Sequence, residues 1–293
     1  MSGGPILVTG GTGQVAHALE RLAGGRAMLR VGRPGFDFDH PERVRPALRE
    51  VAPSVIVNAA AYTAVDKAES EPDAADRANH LGPALLAAYC AEVGIPLIHI
   101  STDYVFDGLK GTPYVEADAT SPTGVYGATK LAGERAVAAS GARAVVLRTS
   151  WVYAASGRNF VLTMLNAAKK TSTLRVVADQ RGCPTAADDL AAAILAIADR
   201  LATGWDDALG GVYHAAGSGE ATWHGLAEAV FARAERHGLA RPTVTPIATA
   251  DWPTPARRPP DSRLDCGKLR LAFGLVLPDW RDSVDRTVDA VFA

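Results

Sequence analysis

Short aliphatic runs alternate with alanine-rich helical segments over the first half of this chain. Most of the runs are apolar along their whole length and short enough to be buried strands. Strands that are apolar on both faces and separated by helices are typical of a parallel sheet covered by helices on both sides. We therefore predict an α/β fold, a Rossmann-type doubly wound parallel sheet. The predicted strands are Ile6–Thr9, Met28–Val31 and residues 54–61, 96–101 and 144–150.

A glycine-rich turn, VTGGTGQVA, joins the first predicted strand to the first predicted helix. Gly10 and Gly13 are three residues apart, and Ala16 stands where a third glycine is common. Such a turn lets backbone N–H groups approach a pyrophosphate, whose charge then faces the positive end of the helix. A turn of this kind can also lack a ligand, but its place between a strand and a helix favours dinucleotide binding.

The end of the second predicted strand bears on the choice of cofactor. An NAD-specific site places Asp or Glu there, to accept a hydrogen bond from the 2′-hydroxyl of the adenosine ribose. In LRVGRPGFDFD this place holds Gly32, followed by Arg33, whose guanidinium can pair with a 2′-phosphate. Arg33 could instead be a solvated surface residue, and Asp37 could contact the adenine or the ribose. The segment favours NADPH and leaves NADH possible.

A tyrosine lies four residues before a lysine in VYGATKLAGE, so Tyr126 and Lys130 share one face of a predicted helix. The pair could be a surface contact. Beside a dinucleotide it gains a chemical role, because a nearby ammonium lowers the pKa of a phenol. That phenol can donate a proton to an oxygen that becomes negative as hydride reaches its carbon. Thr102, after the strand PLIHIS, could stabilise the developing charge by hydrogen bonding.

The overall composition restricts the partners and the compartment of the protein. With 293 residues, of which 48% are hydrophobic, the chain can bury a large core. A net charge of -2 gives no general affinity for nucleic acid or anionic membrane. The three cysteines form no disulfide framework or metal motif, and we predict neither a signal peptide nor a membrane-spanning stretch. We therefore expect a soluble, cytoplasmic protein with no nucleic-acid or membrane partner.

The pattern of strands and helices changes after residue 155. From about Gly211 the chain becomes richer in tryptophan, proline and arginine, which favours an irregular smaller lobe over further strand–helix units. We predict a dinucleotide-binding domain at residues 1–155, completed by about 172–212, and a substrate-binding lobe at residues 213–293 with about 156–171.

Six motifs, spread over nearly the whole chain, carry a family resemblance. They read VNAAAYTAVDKAE, STDYVFDG, SPTGVYGATKLAGE, RTSWVY, DQRGCPT and RPPDSRLDCGKL. Together with the tyrosine–lysine pair, they resemble the extended, sugar-nucleotide branch of the short-chain dehydrogenase/reductase superfamily. Within that branch the chain resembles the dTDP-4-dehydrorhamnose reductases.

The resemblance implies roles for individual residues. Tyr126 is expected to donate the proton, Lys130 to tune its acidity and bind the nicotinamide ribose, and Thr102 to polarise the C4 ketone of the substrate. The implied cofactor-binding residues are Gly10, Gly13, Gln14, Val15, Arg33, Asp37, Phe38, Ala60, Ala61, Tyr62, Thr63, Tyr126 and Lys130. The implied substrate-binding residues are Thr102, Asp103, Tyr126, Trp151 and Arg258, the last as a phosphate contact.

The reaction that the resemblance implies is NADPH-dependent reduction of dTDP-4-dehydro-6-deoxy-L-mannose to dTDP-L-rhamnose. One alternative is a reductase of another dTDP-4-keto-6-deoxy sugar. The other alternative is a cofactor-binding regulatory subunit without catalysis. The retention of Thr102, Tyr126 and Lys130 together argues against it.

Metal binding is not expected from the sequence. His17, His99 and His214 show no metal-ligand spacing. Some members of the family dimerise through a magnesium ion held by carboxylates that include one early on the first helix. The position that aligns with that carboxylate is Ala18 here, so we expect a monomer or a homodimer that is not bridged by metal.

Some remaining residues have simpler explanations. Asn79 could support the active site, or it could have a helix-surface or backbone-bonding role. Asp66 and Glu69 fit a solvated helix start, or they could shape the cleft. Trp223, like the other tryptophans after Trp151, is assigned to packing rather than to ligand contact.

Overall fold

The computed structural model describes residues 3–293, so the first two residues of the predicted domain 1–155 lie outside it. Its strands are numbered in chain order. They are β1 (Ile6–Thr9), β2 (Met28–Val31), β3 (Val55–Asn58), β4 (Leu97–Thr102), β5 (Ala144–Thr149), β6 (Val152–Tyr153), β7 (Thr173–Val177), β8 (Arg181–Gly182), β9 (Thr185–Ala186), β10 (Gly211–His214), β11 (Ala221–Thr222) and β12 (Thr243–Ile247).

Six of these strands form the central sheet, in the order β10-β5-β4-β3-β1-β2. Every neighbouring pair in it is parallel. The chain crosses from β1 to β2 through the helix Gln14–Arg21 on one face of the sheet and from β3 to β4 through the helix Gly82–Val93 on the other face, as a doubly wound sheet requires. The predicted fold class is confirmed.

The helices cover both faces of this sheet. They are α1 (Gln14–Arg21), α2 (Pro41–Val51), α3 (Val65–Ala68), α4 (Pro72–Asp76), α5 (Gly82–Val93), α6 (Val125–Ala139), α7 (Phe160–Ala168), α8 (Ala187–Ala202), α9 (Trp223–Glu235), α10 (Gly267–Phe273) and α11 (Trp280–Phe292).

Alternate residues of each central strand enter two different cores. Ile6 and Val8 of β1 pack with residues of α1 and α8, whereas Leu7 packs with residues of α2 and α5. Because side chains alternate across a strand, a strand buried on both faces is apolar along most of its length. This explains why the uninterrupted aliphatic runs identified these strands.

One predicted helix is interrupted in the structure. The sequence predicts a single helix over residues 74–93, but a π-helical turn, Arg77–Leu81, separates α4 from α5. Pro83 has no N–H to bond with the Asn79 carbonyl in the α-helical pattern, which favours the wider turn here. Helix α6 then packs so closely on this turn that a Cβ at Gly133 would overlap the Asn79 carbonyl oxygen.

A smaller core lies beside the main sheet. It is formed by α7, α9 and α11 together with β7 and β12, which pair in parallel. Strand β10, by contrast, extends the central sheet beside β5. The division of the chain at about residue 155 stays a prediction.

Candidate active site

A cleft of about 770 Å³ runs along the carboxyl ends of the central strands, where parallel sheets place their ligands. It brings together all the predicted site residues except Arg258. Those lining it are Gly10, Gly13, Gln14, Val15, Arg33, Asp37, Phe38, Ala60, Ala61, Tyr62, Thr63, Thr102, Asp103, Tyr126, Lys130 and Trp151.

The glycine turn forms one end of the cleft with its backbone. Gly10 has a φ of 76°, and a Cβ there would lie 2.8 Å from backbone atoms of Ala59 and Ala60. Gly13 precedes helix α1, and its N–H donates to the Gly10 carbonyl at 2.8 Å. At Gly10, only glycine allows both the positive φ and the close approach to the backbone of Ala59 and Ala60. The result is a concave backbone surface at a helix N-terminus, which suits a pyrophosphate.

The segment after β2 contains a cluster of charged side chains. The Arg33 guanidinium donates to Asp37 at 3.0 Å and to Asp39 at 2.8 Å. Arg77 also donates to Asp39, at 2.6 Å, and lowers the pKa of that carboxyl. Arg33 remains two-thirds exposed. The predicted pairing of Arg33 with a 2′-phosphate stays a prediction.

Tyr126 lies in the first turn of α6 and Lys130 one turn later, both facing the cleft. Burial raises the pKa of Tyr126, and the nearby Thr102 hydroxyl only partly opposes this shift. The Lys130 ammonium donates to the Ile100 carbonyl at 2.6 Å, and burial lowers its pKa to about 8. The predicted contribution of the Lys130 ammonium to the acidity of Tyr126 stays a prediction, since burial dominates the pKa of Tyr126 in the protein alone.

Thr102 and Asp103 form a buried polar group below the cleft. The Thr102 hydroxyl donates to Asp103 at 3.0 Å, while the hydroxyls of Ser150 and Ser262 donate to the same carboxylate at 3.0 and 2.5 Å. Burial nevertheless raises the pKa of Asp103 to about 6. Through the hydroxyls of Thr102, Ser150 and Ser262, the Asp103 carboxylate links the ends of β4 and β5 to the loop that carries the motif DSRL.

Asn79 supports the cleft wall after β3. Its side chain is fully buried, accepts from the Tyr62 N–H at 2.8 Å and donates to the Tyr62 carbonyl at 3.2 Å. It also donates to the Thr129 hydroxyl on α6, at 3.1 Å. Asn79 thus supports the cleft wall, and it does so by bonding to the backbone of Tyr62. Glu69 makes a similar link by accepting from the Val125 N–H at 2.9 Å.

Two tryptophans close the other end of the cleft. Trp151 and Trp223 stack with ring centroids 3.5 Å apart and planes 7° apart. Trp151 has a φ of 49°, an uncommon conformation for a residue other than glycine. Trp223 donates to the Gln180 side chain at 3.0 Å. The assignment of Trp223 to packing missed its place in the cleft lining, because no spacing in the sequence links it to Trp151.

Arg258 is the one predicted site residue outside the cleft lining. Its guanidinium donates to Asp66 at 2.7 Å and lies 6.0 Å from the Tyr104 ring centroid. Asp66 also accepts from the Ala256 N–H at 3.2 Å, so it ties this loop to α3 instead of being only a solvated helix start. A phosphate contact by Arg258 stays a prediction.

Comparison with known proteins agrees with this geometry. Residues 4–292 match the family described as RmlD substrate binding domain. The dTDP-4-dehydrorhamnose reductase of Sinorhizobium fredii is 48% identical over 98% of this chain and 97% of its own length. The enzyme of the same name from Escherichia coli K12 is 45% identical over 98% of both. This chain belongs to the dTDP-4-dehydrorhamnose reductase family. The family predicted from the sequence is confirmed.

Solved structures of the reductase family have the same fold as this member. A dTDP-4-dehydrorhamnose reductase from Clostridium acetobutylicum superposes with a TM-score of 0.91, at 35% identity over 99% of this chain and 100% of that one. One from Bacillus anthracis, in complex with NADP, gives a TM-score of 0.89 at 32% identity, over 97% of this chain and 98% of that one.

Within residues 3–293, no three His, Cys, Asp or Glu side chains come together in a way that could hold a metal ion. In the same residues, no helix combines the length and the apolar character needed to cross a membrane.

Proposed function

We propose that this chain is a cytoplasmic NADPH-dependent reductase that converts dTDP-4-dehydro-6-deoxy-L-mannose to dTDP-L-rhamnose. The observation that carries this proposal is the meeting of Thr102, Tyr126 and Lys130 in the cleft of a chain that belongs to the reductase family. A protein that only binds the cofactor has no need for a phenol beside a hydroxyl at this place.

The cleft fits a dinucleotide. A Cβ at Gly10 would lie 2.8 Å from the backbone of Ala59 and Ala60, and one at Gly32 would lie 3.1 Å from the Gly11 nitrogen. Both glycines therefore let the turn pack closely against the neighbouring strand ends. The turn before α1 would hold the pyrophosphate, the segment after β2 the adenosine, and Lys130 the nicotinamide ribose. When bound, NADPH supplies the hydride for the C4 carbon of the sugar.

The side chains of the chain supply the proton and hold the ketone. Tyr126 is protonated at neutral pH, as a proton donor must be before the reaction, because a tyrosine titrates near 10 and burial raises its pKa further. The Thr102 hydroxyl lies beside it and can donate to the C4 oxygen as that oxygen becomes negative. To do so it must release Asp103, whose carboxylate keeps the hydroxyls of Ser150 and Ser262 as partners. Trp151 offers an aromatic face to the sugar.

The test is a Tyr126→Phe variant assayed with the purified sugar nucleotide and NADPH. Removal of a general acid costs about 10²- to 10⁴-fold in turnover, and NADPH binding should be retained. Tyr89→Phe is the matched control, since this phenol is buried in a different core and donates to the Leu48 carbonyl. Full activity of Tyr126→Phe would disprove the mechanism.

Further measurements address the alternative functions. NMR of the product identifies the stereochemistry at C4 and so separates a dTDP-L-rhamnose product from another 6-deoxy sugar. If the wild-type protein binds NADPH but never oxidises it with a dTDP-4-keto sugar, a cofactor-binding regulatory subunit is favoured. Assays with NADH in place of NADPH measure the cofactor preference. Sedimentation velocity distinguishes a monomer from a homodimer, the two states that we propose.

A further inference from the structure

The hydroxyl of Thr149 is buried without a hydrogen-bond partner. Within residues 3–293, six buried side-chain polar atoms lack a partner, and Thr149 is the one of their residues that lines the cleft. The residue is only 6% exposed. A buried hydroxyl without a partner costs free energy, so native proteins seldom keep one without a reason. A ligand in the cleft could supply the missing partner.

The position of Thr149 in the sheet indicates which part of a dinucleotide it faces. It ends β5 and pairs in register with Thr102, the last residue of β4. From β2, where the segment around Arg33 faces the adenosine side, β5 is four strand spacings away in the order β2-β1-β3-β4-β5. At about 4.8 Å per spacing this is roughly 19 Å. Thr149 therefore lies at the nicotinamide end.

The alternation of side chains along β5 places Thr149 on the face of the sheet that α1 covers. Leu147 enters the core with α1 and α8, and Thr149, two residues later, lies on the same face of the strand, as does its register partner Thr102. The turn before α1, which would hold the pyrophosphate, lies on this face as well. The Thr149 hydroxyl is thus on the face of the sheet that the dinucleotide would occupy.

We propose that the Thr149 hydroxyl forms a hydrogen bond with the carboxamide of the nicotinamide ring and so fixes the orientation of the ring. A carboxamide carries two N–H donors and one carbonyl acceptor, and a hydroxyl can both accept and donate. This proposal rests on the proposed function, because it requires that the cleft bind a nicotinamide dinucleotide. Thr149 is then a cofactor-positioning residue beyond those that the motifs identify.

The experiment compares Thr149→Val with the wild-type protein, since valine keeps the shape and removes the hydroxyl. Three results are expected. NADPH should bind about three- to tenfold more weakly, the loss typical of one hydrogen bond. The dissociation constant of 2′-phospho-ADP-ribose, which lacks the nicotinamide ring, should not change. The thermal midpoint of the protein alone should stay equal or rise, because a buried unpaired hydroxyl is removed.

Thr149→Ser provides the rescue control. It keeps the hydroxyl and loses only the methyl group, so the ratio of NADPH affinity to fragment affinity should return towards the wild-type value. This ratio is informative even if the serine variant is less stable, because both ligands are measured on the same protein.

Other outcomes would overturn the proposal. If Thr149→Val weakens NADPH and the fragment equally, or unfolds at a lower temperature, the hydroxyl has a structural role. If it raises only the KM for the sugar nucleotide, the hydroxyl faces the substrate. Each of these outcomes is compatible with the proposed reductase function, whereas a wild-type protein that binds no NADPH would overturn both proposals.

Discussion

The side chain of Asn79 connects three parts of the site, so its removal is the most informative single perturbation. In Asn79→Ala the N–H and the carbonyl of Tyr62 both lose their partner. The Thr129 hydroxyl keeps two acceptors, the carbonyls of Val125 and Tyr126. The cost therefore falls on the backbone of Tyr62, which lines the cleft.

The expected magnitude follows from these two orphaned groups. Each buried backbone group left without a partner costs about 1–3 kcal/mol, and part of the Tyr62 backbone remains close enough to solvent to recover some of this. We expect Asn79→Ala to lower the free energy of unfolding by about 3 kcal/mol. The segment of Tyr62 and Thr63 that lines the cleft should also become more mobile, so NADPH should bind about tenfold more weakly.

Urea denaturation followed by tryptophan fluorescence measures the first effect, as a lower midpoint with an unchanged slope. Fluorescence titration with NADPH measures the second. His80→Ala is the matched control, because the neighbouring His80 makes one partly exposed contact, with Asp76 at 2.9 Å. Its cost should stay below about 0.5 kcal/mol. An Asn79→Ala midpoint equal to that of the wild type would refute this account of the wall.

Two further predictions concern the substrate end of the cleft. In Gly182→Ala the new Cβ would overlap the Trp151 ring, so the ring must move and the KM for the sugar nucleotide should rise about tenfold, while NADPH affinity stays unchanged. The raised pKa of Asp103, about 6, predicts a pH dependence of stability. Because the folded state holds this proton up to a higher pH than the unfolded state does, Asp103 contributes stability below about pH 4 that is lost by about pH 6, up to roughly 3 kcal/mol.

Each of these predictions has its own control. Gly225→Ala lies in helix α9 and brings its Cβ no closer than 3.4 Å to a neighbour, so its kinetics should match those of the wild type. An unchanged KM in Gly182→Ala would contradict the first prediction. For Asp103, the difference in unfolding free energy between the wild type and Asp103→Asn isolates one carboxyl from the others. A difference that is constant between pH 4 and pH 6 would contradict the second.

Local patterns in the sequence were enough to identify the fold and most of the cleft. The aliphatic runs marked five of the six central strands, because strands such as β1, β3 and β5 are buried on both faces and are apolar along most of their length. Strand β10 was not predicted. The glycine turn marked the phosphate end, since its backbone conformation depends on residues that are neighbours in the chain. The motifs around Thr102 and Tyr126 placed the chemistry at the ends of β4 and α6.

Features that depend on distant parts of the chain were not visible in the sequence. Asp66 and Arg258 are 192 residues apart and meet only because the last loop folds back onto α3. Spacing identified the neighbours of Tyr126 but not the desolvation that raises its pKa. The unpaired hydroxyl of Thr149 likewise exists only once β5 lies in the sheet and its surroundings are dry. Periodicity and turn chemistry are local properties of a chain, whereas desolvation and long-range pairing arise when the chain is packed.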